Sequence, residues 1–97
     1  MPFAILTFDK PDSSELRMRL RPEHVAYLNA RKHLMLAGGA MLDGGGTARG
    51  GIIIIDTDDR LAAESFAADD PFNRGELFEE VRVVPWRKSF FNFENCM

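Results

Sequence analysis

The apolar residues fall into four short runs and two longer periodic stretches, separated by polar, proline and glycine breaks. Phe3 to Phe8 reads FAILTF and is closed by Asp9, Lys10 and Pro11. An unbroken apolar run of this length suits a strand buried on both faces and followed by a turn. Arg21 and Pro22 then lead into EHVAYLNARKHLM. Proline fits a first helical turn because its missing N–H would have no partner there, so a first helix is predicted from Pro22 to Met35. The polar stretch before it leaves room for a shorter helical turn over Ser13 to Leu20.

Gly38, Gly39 and the block Gly44 to Gly46 punctuate two further apolar runs, Leu36 to Leu42 and Ile52 to Ile55. These predict a hairpin with a loose glycine-rich connection. Asp56, Thr57 and Asp58 offer capping oxygens ahead of RLAAESFAA, a second helix that stops before Pro71. Phe78 to Trp86 alternates, with charges on both faces, as an edge strand would. The order βαββαβ predicts an α+β, ferredoxin-like sheet with the first and third strands in the centre. Two helices cover one face of such a sheet, yet FAILTF and IIII place large apolar side chains on both. The second face therefore needs a partner, and a homodimer is expected.

Length and charge narrow the classes. With 97 residues the chain is read as one domain, whose own core is modest enough to gain from an oligomeric interface. Twelve Lys and Arg stand against fifteen Asp and Glu, which argues against a nucleic-acid partner. An RNA-binding module on a similar fold would also want a basic aromatic pattern that is missing here. No apolar run approaches the roughly 20 residues of a membrane span, and charges among the first 20 residues argue against a signal peptide. Cys96, the only cysteine, is expected to be an exposed, inert thiol in a reducing cytoplasm.

Two histidines separate on a helical wheel. His24 shares the apolar arc with Tyr27, Leu28, Leu34 and Met35, while His33 falls on the solvated side. His24 reads either as a core histidine bonded to a backbone carbonyl or as an inward-facing general base. Asp69 and Asp70 follow the second helix, where carboxylates meet the negative end of its dipole and call for a cationic partner or full solvation. Arg21 reads either as an anion contact or as a structural ion-pair partner. The glycines match neither GxGxxG nor a P-loop, and two histidines without a usable cysteine make a zinc site improbable, so no metal is expected.

The segments RPEHVAYL (Arg21 to Leu28), LAGG (Leu36 to Gly39), the glycine pair before IIII, DDPF (Asp69 to Phe72) and VVPWRK (Val83 to Lys88) together resemble the YciI-like (YCII-domain) family over residues 1–88. The resemblance implies the dimeric α+β barrel form of the ferredoxin-like fold. It also implies an active site made by a His and an Asp, which fall on His24 and Asp70. One branch of that family resembles enzymes that remove halide from ring substrates. On this reading His24 and Asp70 are catalytic, and Arg21, Tyr27, Gly51 and Phe72 contact a small-molecule substrate, with no cofactor. The chain departs from the family at Gly39, where proline is common, and at Gly51, where serine is frequent. Residues 89–97 form an aromatic tail beyond the domain, and Phe90, Phe91 and Phe93 are expected to pack on the partner subunit. The expected activity is that of a lyase or hydrolase-like enzyme with a His/Asp acid–base pair. The alternative is a ligand-binding or interaction dimer without turnover.

Overall fold

The computed structural model describes all of residues 1–97. Strands β1 (Phe3–Asp9), β2 (Met35–Leu42), β3 (Ala48–Ile55) and β4 (Phe78–Pro85) form one antiparallel sheet in the order β2-β3-β1-β4. Helices α1 (Ser14–Ala30) and α2 (Arg60–Asp69) complete the βαββαβ order, and a four-residue helix α3 (Pro71–Arg74) precedes β4. This is the ferredoxin-like α+β barrel fold, with β1 and β3 central and β4 at an edge as their residue patterns predicted.

The register divides the strands by face. Ile5 pairs with Ile53 and Val83, and all three pack on the core that Ile55, Phe66 and Ala67 build under α2. By alternation, Leu6, Ile52 and Val84 point to the opposite face, where Ile52 and Val84 are each 40% exposed. Only 14 of 97 residues are buried, so the core made by one chain is thin. Fully burying an Ile or Leu such as Ile5 or Leu77 is worth roughly 1.5–3 kcal/mol, and few residues collect it here.

Four details differ from the sequence reading. The first helix starts at Ser14, not Pro22, and ends at Ala30, and Lys32–Leu34 form a single 3-10 turn before β2. Pro22 lies inside α1, where its missing N–H deprives the Met18 carbonyl of its helical bond; both residues are exposed, so water can serve that carbonyl. The cap of α2 is Asp59, whose side chain accepts from the Leu61 N–H at 3.0 Å, while Asp56, Thr57 and Asp58 lie upstream of it. The β2–β3 connection is not loose. Asp43 accepts from the Gly45 and Thr47 N–H groups and from Arg49, and the bond from Thr47 leads in holding its carboxyl below the usual range.

Two glycines are required by close approach. A Cβ at Gly50 would collide with the Thr7 carbonyl across the β1–β3 pair, and one at Gly75 would enter the Leu20 side chain of α1. The tail forms a small hairpin, Phe90–Phe91 with Glu94–Asn95, turned by Asn92 and Phe93 at φ 52° and 65°. Phe93 at its tip is fully exposed.

Candidate active site

Asp70 lies between α2 and α3, and the proline after it keeps it extended, at φ −59° and ψ 128°. Pro71 then opens α3, where a missing N–H does no harm. This turns the Phe72 N–H back onto Asp70 Oδ1 at 2.9 Å. The same oxygen receives His24 Nδ1 at 2.8 Å from α1. The carboxylate at the end of α2 thus has the compensation its position demanded: an imidazole N–H and a backbone N–H. Asp70 is 4% exposed, and an ionised carboxylate can only accept, so Nδ1 carries the proton. Nε2 is left as the acceptor, without a partner in the chain.

Phe72 also fixes the imidazole by its face. The two rings stack with centroids 3.7 Å apart and planes 10° from parallel. The Phe72 ring meets Phe78 edge-on at 6.0 Å and has the Arg17 guanidinium 4.8 Å from its centroid. Arg17 lies two helical turns before His24, so Phe72 is held between two residues of one α1 face. Arg17 in turn donates to Asp9 Oδ2 at 2.7 Å, and the other oxygen of Asp9 is buried without a partner. The DPF segment therefore supplies the carboxylate, the turn and the stacking ring within three residues.

These groups border a cavity of about 430 Å³ between α1 and the sheet. His24, Asp70, Arg21, Gly51 and Phe72, five of the six residues singled out from the sequence, line it. Tyr27 does not. Its hydroxyl donates to the Phe66 carbonyl of α2 at 2.8 Å, its ring packs on Phe66, and the Arg31 guanidinium covers it. Burial, opposed by Arg31, raises the phenol above its ordinary value. Tyr27 joins two helices and stands outside this cavity's lining.

Arg17, Lys32, Thr7 and Phe78 line the cavity and were not singled out from the sequence. Arg17 and Arg21 are four residues apart, the spacing of one helix face, and that signal was hidden by starting the helix at Pro22. No group of three or more His, Cys, Asp or Glu is arranged to hold a metal ion. Cys96 is exposed and far along the chain from the dyad.

The chain is thus a ferredoxin-like α+β barrel with a His–Asp pair on a cavity between helix and sheet. It belongs to the YCII-related domain family, whose profile matches residues 1–87. It is 32% identical to Protein YciI of Escherichia coli O6:H1, over 93% of this chain and all of that protein. Among solved structures it is similar to 5-chloro-2-hydroxyhydroquinone dehydrochlorinase (TftG) from Burkholderia phenoliruptrix AC1100, in complex with 2,5-dihydroxybenzoquinone. The TM-score is 0.85 at 29% identity, covering 90% of this chain and 94% of that one. An antibiotic biosynthesis monooxygenase homologue from Bacteroides thetaiotaomicron VPI-5482 shares the fold at TM-score 0.60 and 13% identity, over 97% and 93% of the two chains.

Proposed function

We propose that the chain is a lyase-type enzyme that eliminates a leaving group, halide among them, from a small hydroxylated ring compound. His24 is its acid–base residue and Asp70 its positioning partner. The observation that carries this is the 2.8 Å contact from Nδ1 to a buried carboxylate, which leaves Nε2 free on a cavity of ligand size. Nε2 takes a proton from one ring O–H and returns it to the ring carbon that bears the leaving group, which makes that carbon tetrahedral and the first oxygen a ketone; Nε2 then takes the proton of a second O–H, whose electron pair is relayed through the ring to the carbon–leaving-group bond. The leaving group departs with its bonding pair, so the net change is loss of one proton and one anion. Asp70 stabilises the imidazolium formed. The similarity to a dehydrochlorinase over nine-tenths of the chain supports this chemistry.

The test is chloride release from chlorinated hydroxyhydroquinones. His24→Ala and Asp70→Asn should each lose on the order of 10²-fold or more in kcat, with the double variant little worse than either. Asparagine keeps the Phe72 cap, so its effect separates the charge from the fold. Ring nitrogen shifts in NMR should show the Nδ1–H tautomer in the native chain and a mixture in Asp70→Asn. Tight ligand binding with undiminished turnover in His24→Ala would overturn the assignment, and binding with no turnover on any halogenated or hydroxylated ring would leave a binding protein.

The same reading includes a homodimer formed through the sheet face that carries Leu6, Ile52 and Val84, with residues 1–88 as the domain and the Ser89–Met97 hairpin packing on the partner subunit. A monodisperse monomer in light scattering at high micromolar concentration would remove it.

A further inference from the structure

We propose that the cavity's ligand is a small planar ring ionised at both ends, with one oxyanion held by Arg21 and the other by Lys32. This rests on the cavity being the substrate site but not on the dyad moving a proton. The charge balance is the first observation. The chain as a whole carries a formal charge of −3, yet the cavity is lined by Arg17, Arg21 and Lys32 against the single carboxylate Asp70, with His24 as a neutral donor to it. Arg17 is already matched by Asp9. Arg21 and Lys32 have no carboxylate within 4.0 Å, and unlike the chain's other unpaired cations they line the cavity. A ligand bearing negative charge is what would complete them.

Their positions say how that charge is distributed. Arg21 precedes His24 by three residues in α1 and Lys32 opens the 3-10 turn that follows the helix, so along the cavity's roof the imidazole comes between the two unmatched cations. From Arg21 to Ala30 alone the helix rises roughly 14 Å at 1.5 Å per residue, so the two backbones stand well apart.

The floor fixes the shape. Thr7, Gly38, Ala40 and Gly51 lie on the helix-facing side of the sheet, and none has a side chain larger than threonine. A Cβ at Gly51 would already stand 3.2 Å from the Gly39 carbonyl oxygen and 3.4 Å from Thr7 Oγ1. What remains is open space over this part of the sheet, bordered by Ile5 and Ile53 on the same face and by Leu28 and Phe66 from the helices, with room for a ring to lie on the sheet. Apolar walls with a few placed charges are the usual way such a cavity combines affinity with orientation. A guanidinium and an ammonium at the two ends would orient the ring and hold its edge towards Nε2.

The experiment is calorimetric titration of the full chain with two probes of one ring size, 2,5-dihydroxybenzoquinone, doubly ionised at neutral pH, and hydroquinone, uncharged there. The dianion should bind at least tenfold more tightly, and its affinity should fall as salt is raised. Arg21→Gln and Lys32→Gln should each weaken the dianion about tenfold and leave hydroquinone unchanged, and Lys32→Arg should restore most of the loss. Both positions are exposed, so the variants keep their fold, which thermal unfolding checks. Equal binding of the two probes, equal weakening of both by the substitutions, or no dianion binding up to millimolar concentration would each overturn the proposal. Failure of the catalytic reading looks different: charge-dependent binding would persist while no turnover depended on His24. Failure of this proposal alone would leave His24-dependent turnover with no preference for the ionised probe.

Discussion

Helices α1 and α2 cover the same face of one sheet, but they relate to it in different ways. The inner side of α2 buries Ala63, Phe66 and Ala67, and it packs directly on β1 and β4. Helix α1 is nearly twice as long, yet it buries no residue completely and packs chiefly on α3. The space it leaves over β1, β2 and β3 is the cavity. Closing it with side chains would gain stability at about 25 cal/mol for each Å² of apolar surface removed from water. The chain instead keeps glycines and alanine on the floor. One half of the layer is thus built to be filled, and the other to stay open around His24.

If that division is right, it shows first as a difference between two core truncations. Ile55 is 2% exposed, belongs to the cluster under α2 and does not border the cavity. Ile55→Ala should cost about 2–5 kcal/mol by urea denaturation, and whatever fraction remains folded should bind ligand with unchanged affinity. Leu28 occupies the matching place on α1, packed against the same core but only partly buried because its other side faces the cavity. Leu28→Ala should cost less, about 1–2 kcal/mol, and should weaken ring binding, since it removes a cavity wall. Equal destabilisation by the two, or a ligand effect from Ile55→Ala, would erase the distinction.

The same difference decided what could be read from the sequence. The strands, their order and the α2 core follow from uninterrupted or alternating apolar runs, which packing enforces residue by residue. The pairing of His24 with Asp70 was legible through the family resemblance; a histidine in an apolar arc and an aspartate at a helix end each left a plain structural alternative open. The extent of α1 was not legible. A helix that roofs a cavity has a weak apolar stripe, and Pro22 imitates a start because its first-turn signal and its exposed-interior position look alike without knowledge of what faces water. Arg17 was lost with that start. The short helix α3 escaped because Asp-Pro also opens ordinary turns, although Asp70 as cap and Pro71 at the first position is a helix opening. Tyr27 was placed on the correct side of α1 but drawn into the cavity, because periodicity gives a face and not which neighbour that face meets.

Tyr27 is also where the two halves are joined, and it carries the smallest and most specific expectation. Its hydroxyl spans from α1 to the Phe66 carbonyl of α2, so Tyr27→Phe should cost about 1 kcal/mol near neutral pH, the usual net worth of one such bond. The pH dependence is sharper. Burial raises the folded-state phenol above its ordinary value of 10.0, so in the alkaline range the folded chain holds this proton more tightly than the unfolded chain. Its contribution is therefore fully present below about pH 10 and is lost as pH climbs through the folded value. Native stability should fall there more steeply than that of Tyr27→Phe, and the two curves should approach one another. The chain has a single tyrosine, so phenolate absorbance reports this group alone and its folded-state midpoint can be read directly. A midpoint at or below that of the unfolded chain, or parallel stability curves for the two proteins across the alkaline range, would mean that the α1–α2 seam is not held by this hydroxyl. The open and closed halves would then be joined by packing alone.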